Sequence, residues 1–280
     1  MTQETSQWDE LTPHGFLELR EKSGGVCVLP IASIEQHGGH LPLGTDSFVG
    51  KEVCARAAAL EPVMVFPVFQ FGVNGEATAF PGAIGLGTEA LFAMLGNLCD
   101  EIARNGFRKI LLFSSHGGNE FGLRFFVQQW ATKPHDYMVY YLGLGYGDAT
   151  PPKSLPVGTE SPCAHGSTFE TSAVMAAKPE TVRLEEKFPE ACAANLRRLD
   201  RLTKLGVYTA VSYYANYPCH WAGPAQAAGR EAGADIVNER ARKLAEAVRA
   251  IKGDGEAPRL MQEFRSRASR GGTMTPENRE

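Results

Sequence analysis

Apolar and polar positions along this 280-residue chain switch repeatedly between two periods. Residues 25–31 (GVCVLPI) are a short unbroken apolar run, the pattern of a strand buried on both faces, and they lead straight into a histidine-rich stretch. Phe48, Val49, Val53 and Ala57 then recur at helical spacing, with Asp46 at the start, which predicts a helix over 47–60. Residues 63–71 read as a strand interrupted by Pro67, and the glycine-rich 72–87 as a working loop. Leu91, Leu95, Leu98 and Ile102 mark a helix stopped by Gly106, followed by a strand over 109–114. The rhythm continues with a helix over 119–131, a strand over 137–142, a Gly/Pro-rich connection over 143–163 and a helix opening at Glu170. Further on, the spacing predicts a helix over 191–205, a strand over 207–214 and a helix over 225–252 striped by Ile236, Ala241, Leu244 and Val248. Strands alternating with amphipathic helices imply an α/β fold with a mostly parallel sheet covered on both faces. Ligands are then expected beyond the carboxyl ends of the strands.

Residues 1–252 are read as one domain, and residues 253–280, rich in charge, glycine and proline, as a polar tail that is loose or packs on a neighbour. A formal charge of −4, with no basic run or stripe, recommends neither nucleic acid nor an anionic membrane as partner. The six cysteines include no CxxC pair and are too sparse for a disulfide scaffold, so they are expected to be thiols in a reducing compartment. The first ten residues are polar and acidic, and no stretch of about 18 apolar residues occurs. A cytoplasmic protein is expected.

The chemistry gathers in three clusters. Glu35, His37, His40 and Asp46 fall close together among turn formers, directly after a buried strand. Burying such groups together is costly unless a cation neutralises them and accepts their lone pairs, so a metal site is the favoured reading over a satisfied polar turn. Glu35 and His37, two apart, point the same way in an extended segment. Asp46 suits a ligand shared between two ions if it bridges. His116 follows the second strand within Ser114-Ser115-His116-Gly117-Gly118-Asn119, whose glycines allow close backbone approach to a ligand. His165 precedes a helix whose first turn holds Glu170, a position that a helix start alone also favours. His14 and His135 have no ligand-like neighbours, and a thiol mechanism through Cys163 and His165 is disfavoured.

The run from Ser33 to Asp46 (SIEQHGGHLPLGTD), the HGGN turn at 116–119 and the H-G-x-x-x-E-T-S segment at 165–172 together resemble the creatininase (creatinine amidohydrolase) family, over about residues 25–252. The resemblance implies a three-layer αβα fold, a homo-oligomer, often a hexamer, and two divalent metal ions of zinc, manganese or iron. It implies Glu35 and His116 on one ion, His37 on the other and Asp46 bridging. Where the family draws its last carboxylate from two positions after the histidine of the second motif, this chain has Gly118, so Glu170 is the preferred replacement and Glu120 the reserve. His165 matches a family histidine that exchanges protons with the substrate.

The same resemblance implies hydrolysis of a carbonyl in a small cyclic amide or related small-molecule substrate by a metal-activated hydroxide. Gly117, Gly118 and Asn119 would hold the substrate oxygen. Two departures argue against creatinine itself: Ala164 stands where creatininase has a glutamate, and Cys219-His220-Trp221 stands where the family has a Gly-Asp-Pro turn. His220 and Trp221 become candidate substrate contacts. A carbon–carbon hydrolase acting on a cyclic diketone, as in the 3-dehydro-scyllo-inosose hydrolase branch, is the alternative. A non-catalytic small-molecule sensor and a structural oligomer with adventitious metal are the competitors of other classes.

Overall fold

The computed structural model describes residues 5–143 and 164–269. After a helix α1 (Pro13–Lys22), capped by the Thr12 hydroxyl accepting from the Gly15 amide, the chain enters strand β1 (Val26–Ile31). Then come helix α2 (Thr45–Leu60), the two-residue strand β2 (Met64–Val65), helix α3 (Thr88–Arg104), strand β3 (Lys109–Ser114), helix α4 (Asn119–Gln129) and strand β4 (Met138–Gly143). Beyond it lie α5 (Thr168–Ala177), the short α6 (Asp200–Thr203) and α7 (Ser212–Asn216), the long α8 (Arg230–Gly253) and α9 (Glu256–Ser269).

The four strands form one parallel sheet in the order β2-β1-β3-β4. Every residue of β1 is buried, as the unbroken apolar run requires, and its pleat divides the core. Val26 and Val28 pack with Leu111 and Phe113 against α2, α5 and α8. Cys27, Leu29 and Ile31 pack with Ile110 and Leu112 against Leu91, Leu95 and Ile102 of α3. The outcome is the three-layer αβα arrangement.

Register fixes where chemistry can gather. Ile31 pairs with Ser114, and Ser114 with Gly143, so the turns leaving β1 and β3 open on the same sheet edge. The opposite end is pinned by Lys109, whose Nζ donates to the carbonyls of Ile251 (2.8 Å), Lys252 (3.0 Å) and Asp254 (2.7 Å). A cation at those orphan carbonyls suits the helix dipole. α8 in turn lies very close to α5: a Cβ on Gly233 would stand 1.8 Å from the Ser172 carbonyl oxygen. Glycine is required there by backbone approach.

Several expectations fail in the second half. Residues 191–205 do not form one helix: a 3-10 turn (Glu190–Ala193) and the four-residue α6 take its place. Leu196, Leu202 and Leu205 are exposed, so the helical spacing finds no surface to cover, and an unsupported helix of that length is marginal. The expected strand at 207–214 is likewise absent; a turn closed by the Ser212 amide donating to the Thr209 carbonyl leads into α7. The interrupted strand near Pro67 shrinks to β2 plus a lone bridge between Ile31 and Phe69. Residues 256–269 are helical, and Arg265 of α9 donates to the carbonyls of His135 and Lys133. Of the expected connection over 143–163, Gly143 ends β4 and the rest, Cys163 included, lies outside the described residues.

Candidate metal centre

The loop after β1 is closed by the Glu35 amide donating to the Leu43 carbonyl at 3.1 Å. Within it Gln36 turns away and donates to the Cys219 carbonyl, while Glu35 and His37 face inward and are almost fully buried. Gly38 adopts φ +65°, which lets the chain reverse while its amide donates to the His220 carbonyl. Asp46 enters from the first turn of α2, His116 from the turn after β3, and Glu170 from the first turn of α5.

These five side chains converge. His116 Nδ1 lies 3.0 Å from both Glu35 Oε1 and Asp46 Oδ2. His37 Nε2 lies 3.4 Å from Asp46 Oδ1, 3.7 Å from Glu170 Oε2 and 3.8 Å from Glu35 Oε1. The far side of each ring is already committed: His116 Nε2 donates to the Val73 carbonyl at 2.8 Å, and His37 Nδ1 to the Glu35 carbonyl at 3.2 Å. Those bonds assign each neutral tautomer, and in that tautomer the remaining nitrogen turns a lone pair toward carboxylate oxygens. Glu35 Oε1, Asp46 Oδ2 and His37 Nε2 are buried without a hydrogen bond.

Lone pairs facing lone pairs are repulsive unless a cation stands between them, so the set fits a metal. Atoms sharing an ion at about 2.0–2.2 Å are themselves roughly 3 to 3.5 Å apart, which is the separation of the closest donors here. Two imidazoles with three carboxylates suit zinc, manganese or iron better than a soft thiophilic ion. The carbonyl contacts of both rings are of the kind that orients histidines at metal sites.

With protons alone, the same crowding shows in the titration. Burial by itself lowers His37, but Asp46, Glu170 and Glu35 outweigh it and hold the imidazole at about 9. Burial likewise opposes the charged form of His116, and Glu35 and Asp46 carry it well above its ordinary value. Burial would raise Glu35 and Asp46, yet the neighbouring histidines hold both down. Glu170 is pushed up by burial, partly offset by His37.

His165 stacks on His37 with ring centroids 4.0 Å apart, and its Nε2 meets the Gln36 carbonyl at 2.7 Å. Burial and then the charge of His37 press it down to about 3, so it is neutral. His220 completes the rim: Nε2 is 3.4 Å from Glu35 Oε2, its ring is 4.4 Å from that of His165, and its backbone sits at φ +48°. A non-glycine residue in that region costs about 1–3 kcal/mol and persists only where surroundings over-determine it.

Other expected site residues lie elsewhere. His40 belongs to the sequence cluster but not to the spatial one; its Nε2 bonds Thr171 Oγ1 at 2.9 Å, its ring packs on Trp221, and burial lowers it to about 4. Glu120, the reserve ligand, instead accepts from the Tyr141 hydroxyl at 2.8 Å. Trp221, expected to line the substrate pocket, is wholly buried, with Nε1 donating to the Gly166 carbonyl beside the His165 turn. The Asn119 side chain is spent on Ile31, Ser114 and Val73, while its amide and that of Glu120 close the turn onto the carbonyls of His116 and Gly117. Gly118 leaves room where a Cβ would stand 2.5 Å from His116 Nε2, and Gly117 is exposed. His135 stacks on Trp130 and His14 pairs with Glu18 on the surface. The Val73 carbonyl, which orients His116, carried no sequence signal beyond its place in the glycine-rich loop.

The family model for creatininase, described as creatinine amidohydrolase, matches residues 9–248. Creatinine amidohydrolase of Pseudomonas putida is 29% identical over 181 residues, covering 58% of this chain and 69% of that protein. A mycofactocin precursor peptide peptidase of Mycobacterium ulcerans is 31% identical over 194 residues, 66% of this chain and 71% of the relative. A 3-dehydro-scyllo-inosose hydrolase of Thermotoga maritima is more distant, at 25% over 171 residues, 59% and 54% of the two chains. Among solved structures, a glutamate-to-glutamine mutant creatininase of the Zn-Zn type shares the fold, with a TM-score of 0.68 at 23% identity over 89% of this chain and 99% of the other. The order of strands, the five converging ligand-type side chains and the family match over residues 9–248 agree: this chain belongs to the creatininase family and is a hydrolase.

Proposed function

We propose that the protein is an amide hydrolase with a dinuclear metal centre, for which Glu35 and His116 would hold one ion, His37 and Glu170 the other, and Asp46 would be shared between them. The observation that carries this reading is the pair of histidine lone pairs turned onto buried, unbonded carboxylate oxygens. The donor groupings Glu35/Asp46/His116 and His37/His165/Glu170 both lie within reach of a single ion. Zinc, manganese or iron, when bound, would polarise a substrate carbonyl and make water a nucleophile near neutral pH.

The chain's own groups supply the rest. In hydrolysis the carbon–oxygen bond forms as water loses a proton, and the carbon–nitrogen bond breaks as the nitrogen gains one. We assign to His165, stacked on His37 and held by the Gln36 carbonyl, the transfer of the first proton from water and of the second to the nitrogen. His220, with Nδ1 buried and unbonded, is the substrate-binding group on the same wall, and the amides of Gly117 and Gly118 are candidates for the substrate oxygen. The substrate class is a small cyclic amide or a peptide amide, supported by the creatinine amidohydrolase and peptide peptidase relatives. Supporting the diketone alternative is the Thermotoga maritima relative.

Metal analysis, combined with turnover of cyclic amides, short peptides and an inosose before and after chelation, tests the reading. Chelator-sensitive release of an amine supports it. Failure to bind divalent metal would sink it, and metal binding without any turnover would favour the sensor. No helix among the described residues is long and apolar enough to cross a membrane. We also propose a homo-oligomer, six subunits being the family expectation; exposed Leu205, Tyr208 and Val211 supply apolar surface for it, and light scattering on the purified protein checks it.

A further inference from the structure

One buried hydroxyl beside the centre has no structural employment. Tyr213 Oη, on α7, is inaccessible to solvent and makes no hydrogen bond among the described residues. That state is unfavourable for a hydroxyl removed from water unless something else completes it. The ring meets His220 edge-on with centroids 5.2 Å apart and His165 edge-on at 5.9 Å. Phe80 packs on His220 at 4.6 Å, and Tyr217 on Tyr213 at 5.4 Å. Phenylalanine would make all these ring contacts equally well, so packing does not explain the hydroxyl. Burial, then the nearby carboxylates of Glu170 and Glu35, hold the phenol well above its ordinary range, which keeps it a proton-bearing donor.

We propose that Tyr213 is a substrate-contacting residue whose hydroxyl donates a hydrogen bond to a polar acceptor atom of the substrate seated beside His165 and His220. This rests on the amide-hydrolase reading and deepens it: the substrate carries an oxygen or unprotonated nitrogen acceptor near the group that receives the proton from His165. A purely apolar leaving group would leave the hydroxyl as unsatisfied as it is now.

The test compares wild type, Tyr213→Phe and, as a control on the exposed side of the same helix, Tyr214→Phe. Metal content, thermal unfolding of the substrate-free metal-loaded protein, and steady-state hydrolysis of creatinine, hydantoin and N-acetylated dipeptide amides are measured. Tyr213→Phe is expected to keep its metal, to unfold at a Tm equal to or above that of wild type, and to lose kcat/KM by roughly ten- to hundredfold. Tyr214→Phe should change none of these. A Tm lowered by several degrees would show that the hydroxyl serves the fold, and unchanged kcat/KM on an amide that wild type hydrolyses would remove the proposed contact; either overturns the proposal alone. If wild type hydrolyses none of the panel, the amide reading fails and the proposal goes with it.

Discussion

Replacing Gly233 by alanine tests how tightly the scaffold sets the centre. Gly233 lies in the first turns of α8, and a Cβ there would stand 1.8 Å from the Ser172 oxygen, 2.5 Å from its carbonyl carbon and 3.1 Å from Ala176 Cβ. An ordinary carbon–oxygen contact needs well over 3 Å, so α5 and α8 must separate locally by about 1.5 Å, and both partners are backbone or nearly so. Overpacking of this kind costs about 1–3 kcal/mol, and a rigid backbone contact belongs at the upper end. Alanine regains about 1 kcal/mol of helix propensity, leaving a net loss of about 2 kcal/mol. For a chain of this size that lowers Tm by roughly 4–8 °C. Glu170 is two residues before Ser172 on the displaced helix, so metal affinity should fall as well, by roughly tenfold or more. Gly96→Ala is the internal control: nothing lies within 4 Å of its Cβ position in α3, so it should gain up to about 1 kcal/mol. Differential scanning calorimetry and metal titration of both variants are the assays. A Gly233→Ala protein as stable as Gly96→Ala would refute the reasoning.

Asp46→Ala removes the carboxylate that faces both histidines and should abolish stoichiometric metal binding together with turnover; full metal content by mass spectrometry would contradict the bridging role. His165→Ala should retain metal but lose turnover by about 10²- to 10⁴-fold, and a variant with wild-type kcat would exclude His165 from proton transfer. Metal-free protein should show an alkaline loss of stability that metal suppresses. His37 is raised in the fold to about 9 from about 6.5 unfolded, so its contribution is complete below about pH 6.5 and is lost as pH rises through about 9. A bound cation takes the proton's place, so denaturant midpoints of chelated and loaded protein should diverge from pH 7 to 9.5; parallel curves would disprove the linkage.

The sequence alone carried the parts of this protein that depend on neighbours along the chain. The unbroken apolar run of β1, the 3.6-residue stripe of α3 and the strand at 109–114 are local patterns that one buried face or two dictate directly. So is the supply of ligand-type side chains at strand ends, because turns that must reverse sharply beside a ligand concentrate glycine with histidine and carboxylate. The same reasoning failed at 191–214, where helical spacing and β-branched residues lacked any layer to pack against. Propensity there had no burial to enforce it.

Tertiary structure decided which of those side chains work together. His37 and His40 are three apart, yet the loop's closure onto Leu43 and His220 turns one ring into the cluster and the other onto Thr171. Glu170 meets His37 because α5 is held tightly on α8, whereas Glu120 is drawn off by Tyr141. The tautomer of His116 depends on the carbonyl of Val73, and the spare hydroxyl of Tyr213 on a segment whose period suggested a strand. Convergence is non-local: the register of parallel strands brings distant turns to one edge, and only there do lone pairs come close enough to demand a cation.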